Sequence, residues 1–344
     1  MNSEPNTANA LRLHLNENTA GCSPAVLEAL HALSRTAAGF YPDYDEPREA
    51  AAQFLGVTSD HIQLTNGLDE GILAVTAAAF RDRTGGVPDA LGVVPAFDVF
   101  EGCTTALGGR MVTVPLGSDL TLNPDELRKA VTPQTRIVFV TNPHNPSGTT
   151  IPLERFRSLA RDVRPAWLFV DETYTDFAGV TLVEASIFSE HPNLIVGRSF
   201  SKAFGLAGLR TGALVAHPAT LEPIRPIVPV FSLNAWATAA LPVALADRAY
   251  RDWYVAQAAA SRSLLVGACA RLGLDTWPSA ANFQLVRVGE RVEEIVAALA
   301  ARGVIVRNRS REHGCEGCLR ITAGLVEDTR RAIDALEEVL CGAR

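Results

Sequence analysis

The sequence predicts an α/β protein in which a mostly parallel central sheet, flanked by helices, forms a large domain and a smaller α+β domain follows it. Three observations support this. Short apolar runs alternate with segments of helical spacing through the first two thirds of the chain. Most of those runs are apolar nearly throughout, not at every second residue, which is the pattern of strands covered by helices on both faces. After about residue 235 the texture changes to a long alanine-rich stretch followed by further strand-like runs.

In chain order, the strand-like runs of the first part are Ile62 to Leu64, Leu91 to Val94, Met111 to Leu116, Arg136 to Val140, Trp167 to Val170, Leu194 to Val196 and Gly212 to Val215. Between them, Asn123-Pro124 precedes the helical segment DELRKAV, and Ile151-Pro152 precedes LERFRSLARDV. Proline suits the start of a helix, where the amide it lacks would have no partner. Trp236 to Leu272 reads as one long helical stretch. Strands at Phe283 to Val288 and Val304 to Val306 enclose a helix at Val292 to Ala301, and a strand at Leu319 to Thr322 leads into a closing helix. The division that follows places the large domain at 35–235 and the small domain, with an N-terminal arm, at 1–34 and 236–344. No internal repeat, low-complexity segment or flexible linker marks the border.

Composition narrows the function. With 344 residues and 47% hydrophobic content, the chain is large enough to bury a sizeable core. A formal charge of −7 argues against nucleic-acid or anionic-membrane partners, because no basic stripe is available to attract phosphates. The start, MNSEPNTANALRLHLNEN, has no basic segment followed by an apolar core, and no apolar run reaches membrane-spanning length. A cytoplasmic location is expected. The six cysteines (Cys22, Cys103, Cys269, Cys315, Cys318 and Cys341) are scattered and expected to be reduced. His313-Gly-Cys315-Glu-Gly-Cys318 lacks a second ligand pair at zinc-site spacing, so it reads as a loop entering the strand at Leu319, with no metal expected.

Chemistry concentrates at three strand ends. The chain has two lysines against 29 arginines. Lys129 lies in the polar NPDELRKAV, on a solvated helix face. Lys202 lies in RSFSKAFGLAGLRTG, among small residues that follow Leu194-Ile195-Val196. An amine in a poor solvent can lose its proton and attack a carbonyl, which a guanidinium cannot do. Asp171 directly follows Trp-Leu-Phe-Val, so its charge is at least partly desolvated and needs a partner, such as a protonated heteroaromatic nitrogen. Asn145 follows the strand ending at Val140. In open α/β sheets ligands collect at the carboxyl ends of strands, so Asn145, Asp171 and Lys202 are expected to converge on one pocket.

These motifs, with LNEN near the start and LRITAG near the end, resemble the pyridoxal-phosphate aminotransferases of the aspartate-aminotransferase-like fold type I. Within that group the chain is most similar to the histidinol-phosphate aminotransferases, over nearly its whole length. The resemblance implies that Lys202 in SFSKAFGLAGLRTG bonds covalently to pyridoxal 5'-phosphate and later carries a proton between substrate carbon and cofactor. It implies that Asp171 in VDETY pairs with the ring nitrogen, so that the ring draws electrons. Tyr174 and Asn145, the latter in TNPHNPSG, would hydrogen-bond the phenolic oxygen, with Asn145 also next to substrate. For the phosphate it implies the turn at Gly67, Leu68 and Asp69, where free amides open a helix, together with Ser199, Ser201 and Arg210. Tyr41 in FYPDYD would reach the phosphate of the neighbouring subunit, making the active sites of a homodimer shared. Phe97 would stack on the ring, Arg320 would grip the substrate α-carboxylate in a two-pronged contact, and Arg307 in GVIVRNRS would meet a substrate phosphate. For this last role Arg309 and Arg311 stand close enough to compete.

Departures from the family pattern bear on the substrate. The early motif continues as Thr19-Ala20-Gly21, so Ala20 supplies no aromatic hydroxyl. Phe97 replaces the common tyrosine, and Thr173 stands where alanine is usual. The expected reaction is ping-pong transfer of an amino group from histidinol phosphate or a similar donor to a 2-oxo acid such as 2-oxoglutarate. The competing readings are a transaminase for an aromatic or specialised-pathway amino acid, and an enzyme with the same cofactor that decarboxylates, eliminates or oxidises. A cofactor-binding regulator would need an appended DNA-binding segment or a lost lysine; the chain has no spare length for the first and retains Lys202.

Overall fold

The computed structural model describes residues 10–342, and the first nine residues of the expected N-terminal arm lie outside them. In chain order the strands are β1 (Leu11–Leu13), β2 (Ile62–Asn66), β3 (Asp89–Val94), β4 (Arg110–Pro115), β5 (Thr135–Thr141) and β6 (Trp167–Asp171). They continue as β7 (Leu194–Ser199), β8 (Thr211–Ala216), β9 (Asp275–Thr276), β10 (Phe283–Arg287), β11 (Val304–Asn308) and β12 (Cys318–Thr322). Seven of them form one sheet in the order β2-β8-β7-β6-β5-β3-β4, and five form a second in the order β1-β11-β12-β10-β9.

Each of the seven runs read from the first part of the sequence is a strand of the larger sheet. Strands β4, β3, β5, β6 and β7 run parallel. Both faces of the sheet are covered: Val138, Val140, Leu168 and Val170 enter one buried cluster, while Ile137, Phe139 and Phe169 enter another on the opposite side. That alternation is why the strands read as continuously apolar. The exception is β8, which is antiparallel to both β7 and β2. A parallel return needs a long crossover, usually a helix, whereas the connection from β7 to β8 holds only a 3-10 turn at Ala207–Leu209.

The alanine-rich stretch is two helices, not one. Ala235–Ala246 is capped by Asn234, whose side chain accepts from the Ala237 amide at 2.9 Å. Arg248–Leu272 is capped by Asp247, which accepts from the Tyr250 amide at 3.1 Å. Asp247 breaks the run because its carboxylate satisfies amides at a new helix start better than it continues an old one. The second helix serves both halves of the molecule: Tyr254 and Ala258 lie in the core beneath the larger sheet, and Leu265, Ala268 and Cys269 in the core of the smaller one.

The smaller sheet sits between these cores. Phe283 and Leu285 of β10 face the larger core, and Val286 faces the smaller one with Leu319 and Ile321 of β12. Strand β1 pairs in parallel with β11, Leu11 opposite Val304, and this carries the following residues, His14 to Glu17, across the carboxyl ends of the larger sheet. Among the described residues no helix is long and apolar enough to cross a membrane.

Candidate active site

A cavity of about 580 Å³ opens where β5, β6 and β7 end, walled on its far side by β12 and the segment after β1. Its size is that of a small-molecule site. Asn145, Asp171 and Lys202 all line it, as their places at successive strand ends predicted.

Lys202 lies in the turn between β7 and β8, and its Nζ donates to the Leu15 carbonyl at 2.8 Å. Burial of the amine, and next the Arg320 charge, lower its pKa to about 8. The neutral, nucleophilic amine is therefore accessible near neutral pH. Asp171 closes β6 and is 4% exposed, with Oδ1 accepting from the Thr173 amide at 2.8 Å. Burial raises its pKa to about 6. Among the described residues no lysine, arginine or histidine lies within ion-pair distance of it. A buried carboxylate without a cation is costly, so this position suits a ligand that brings positive charge.

An anion cradle adjoins them. The helix Gly67–Ala79 starts immediately after β2, and Gly67 has φ +74°. A Cβ added there would lie 2.4 Å from Arg210 Nη2, so only glycine lets the guanidinium close on the helix start. On the neighbouring strand, a Cβ on Gly212 would lie 2.9 Å from the Leu68 nitrogen. Leu68, Asp69, Ser199, Ser201 and Arg210 line the cavity, and the serines are buried. The acidic residues of the first helical turn are engaged away from the Leu68 and Asp69 amides. Asp69 pairs with Arg210 at 2.8 Å, and Glu70 accepts from the Asn66 amide at 2.7 Å and from Ser232 Oγ at 2.6 Å. Free amides, two hydroxyls and a guanidinium together suit a phosphate.

The opposite wall is cationic. Arg320 of β12 is 5% exposed; its Nη1 donates to Asn145 Oδ1 at 2.5 Å and its Nη2 to the His14 carbonyl at 2.8 Å. Its guanidinium lies over the Phe283 ring, 5.2 Å from the centroid. Burial lowers its pKa to about 10. Among the described residues no carboxylate is within ion-pair distance of Arg320. Arg307 and Arg309 also line the cavity, Arg307 exposed and Arg309 buried beside Glu312. Arg311 pairs with Glu293 at 3.5 Å, so of the three arginines left open by the sequence, Arg307 and Arg309 line the cavity.

Tyr174 is buried and its hydroxyl oxygen accepts from Asn16 Nδ2 at 3.0 Å; burial raises its pKa. Phe97 lines the cavity beside Asp98. Tyr41 does not line the cavity of its own chain: it is 75% exposed and stacks on Phe231 with centroids 3.9 Å apart. Ala20 packs partly buried against the larger core. Sequence reasoning assigned no role to His14, Leu15, Asn16 or Glu17, which all line the cavity. The LNEN motif was visible, but a three-residue strand gives too little pattern to show where the chain after it lies.

The family model for aminotransferase class I and II matches residues 8–336. A histidinol-phosphate aminotransferase of Roseobacter denitrificans is 35% identical over 338 residues, 96% of this chain and 91% of the relative. The crystal structure of histidinol-phosphate aminotransferase from Sinorhizobium meliloti in complex with pyridoxal-5'-phosphate is similar with a TM-score of 0.86 at 28% identity, over 97% of this chain and 92% of that one. Aspartate aminotransferase from Thermus thermophilus, at 22% identity over 96% and 91% of the two chains, shares the fold with a TM-score of 0.78. The chain therefore belongs to the aminotransferase class I and II family.

Proposed function

We propose that this aminotransferase holds pyridoxal 5'-phosphate in the cavity and moves an amino group from histidinol phosphate, or a similar donor, to a 2-oxo acid such as 2-oxoglutarate. The observation that carries the reading is a pair of buried charges facing one cavity and unmatched among the described residues: Asp171 without a cation and Arg320 without a carboxylate. A cationic ring nitrogen answers the first and an amino-acid-like carboxylate the second.

The residues present fit the cofactor. Leu68, Ser199, Ser201 and Arg210, with the helix start at Gly67, take its phosphate, Phe97 offers a ring face, and Lys202 offers an amine to its aldehyde. When bound, the cofactor supplies an electron-withdrawing ring joined to the substrate nitrogen. Asp171, as the carboxylate, keeps a proton on the ring nitrogen. Asn145 has its Oδ1 engaged by Arg320, which leaves its Nδ2 to donate to the phenolic oxygen. Tyr174 donates to the same atom. Lys202, with its amine free, would move the proton at the substrate α-carbon as a general base and acid, and the Leu15 carbonyl is placed to hold that amine inside the cavity. Arg320 orients the substrate by its carboxylate or the equivalent group, and Arg307 and Arg309 meet a distal phosphate. Tyr41 acts in the partner's site within a homodimer.

A donor panel tests the assignment. Histidinol phosphate, phenylalanine, arginine and glutamate are each added to the cofactor-loaded enzyme without acceptor, and the cofactor absorbance is followed. Histidinol phosphate is expected to give the fastest loss. No change with it, beside a clear change with phenylalanine or another amino acid, would overturn the substrate assignment. That outcome would establish the second reading, an aromatic or specialised-pathway donor, which Ala20 and Phe97 favour because neither offers a hydroxyl to a substrate phosphate.

A further inference from the structure

Asn16 is 1% exposed and has φ +54°, in the left-handed region that a side chain enters at a cost and asparagine enters more readily than most residues. Each of its polar groups is used. Its N–H donates to Thr322 Oγ1 at 3.0 Å and its carbonyl accepts from Asn282 Nδ2 at 3.0 Å. Its Nδ2 donates to the Tyr174 oxygen at 3.0 Å, and its Oδ1 accepts from Thr322 Oγ1 at 3.4 Å. Thr322 and Asn282 are fully buried. The Thr322 hydroxyl fixes the amide with its oxygen toward β12 and its nitrogen toward Tyr174. An amide nitrogen only donates, so the Tyr174 oxygen is an acceptor in that contact and its own proton must point elsewhere. Among the described residues that hydroxyl has no other hydrogen-bond partner, and the open side is the cavity that Tyr174 lines.

We infer that Asn16 is a positioning residue, which turns the Tyr174 hydroxyl proton toward the cofactor's phenolic oxygen and ties that proton to the strand carrying Arg320. The inference rests on the role proposed above for Tyr174. Arg320 and Thr322 are two apart on β12 and share a face. Phe283, the register partner of Thr322, lies under the Arg320 guanidinium and meets the Tyr174 ring edge-on at 5.0 Å and 85°. Asn16, Tyr174, Phe283, Thr322 and Arg320 thus pack as one unit, in which the grip on a substrate carboxylate and the hydrogen bond to the cofactor are set together. The charged groups acting on Tyr174 are Arg320, Asp171 and Arg309.

The test is a pH titration of the visible absorbance of the resting holoenzyme, alongside kcat and KM. Four variants are compared: Tyr174→Phe, Asn16→Asp, Asn16→Gly and the double Asn16→Asp/Tyr174→Phe. Asn16→Asp keeps the shape but replaces the donor with an acceptor, so the tyrosine proton turns away from the cavity. Asn16→Gly deletes the amide and suits the left-handed backbone, which protects folding. Loss of a donor to the phenolic oxygen disfavours its ionised form, so Tyr174→Phe should raise the midpoint by about one unit. Asn16→Asp should raise it by a similar amount, Asn16→Gly by less, and the double variant should match Tyr174→Phe alone. Wild-type midpoints in both Asn16 variants, beside a shifted Tyr174→Phe, would overturn this inference and leave the Tyr174 reading intact. A fully additive double variant would also overturn it. An unshifted Tyr174→Phe would remove the reading beneath it.

Discussion

Asp171 and Lys202 owe their chemistry to the same condition, burial beside a cavity, acting in opposite directions. The carboxyl is raised from 3.8 to about 6, so in the cofactor-free protein its contribution to stability is present below about pH 4 and is lost as pH rises through about 6. A cation delivered to it reverses that loss. Cofactor affinity measured by titrating the cofactor-free protein should therefore rise as pH passes through about 6 and level off above it. Asp171→Asn should abolish the step and weaken binding by about two to three orders of magnitude, the scale of a broken buried charge pair; an unchanged pH dependence in that variant would exclude Asp171 as the partner of the cation. Lys202 was legible in the sequence because lysine is so scarce and its neighbours are small and apolar. The choice among Arg307, Arg309 and Arg311 was not, because it depends on Glu312 and Glu293, whose positions follow from how the loop folds after β11.

At the scale of elements, the turn from β2 into the helix Gly67–Ala79 has to satisfy backbone, strand and guanidinium together. Gly67→Ala meets a positive φ and a contact of 2.4 Å with Arg210. The left-handed backbone alone costs about 1–2 kcal/mol, and displacement of Arg210 removes a charge from the anion cradle. Thermal unfolding should shift down by about 1–3 °C without cofactor and by more with it, since the variant also binds cofactor less tightly. Equal shifts under both conditions would separate this turn from phosphate binding. The parallel strands were readable because covering both faces demands apolar residues at every position. The reversal of β8 and the break at Asp247 were not, since an apolar run carries no direction and a single aspartate within alanine-rich sequence gives a weak signal beside its neighbours' helix propensity.

At the scale of the whole molecule, the stacked pair Tyr41 and Phe231 lies in an exposed stretch that includes Phe40 and Val230, both about three-quarters exposed. Apolar surface of this kind suits the interface of the homodimer proposed above. If Tyr41 completes the site of a second copy, mixing inactive Lys202→Ala with impaired Tyr41→Ala should regenerate activity, because each mixed dimer holds one site with both native residues. Mixtures no more active than the sum of their parents would rule out sharing. The layered architecture was legible from periodicity, whereas the pairing of β1 with β11 joins segments nearly three hundred residues apart and leaves no local trace. The helix Arg248–Leu272, 25 residues and so about 37 Å long, is anchored at one end in the larger core and at the other in the smaller. Drawing the two sheets apart would therefore uncover Tyr254 and Ala258 at one end of this rod or Leu265, Ala268 and Cys269 at the other.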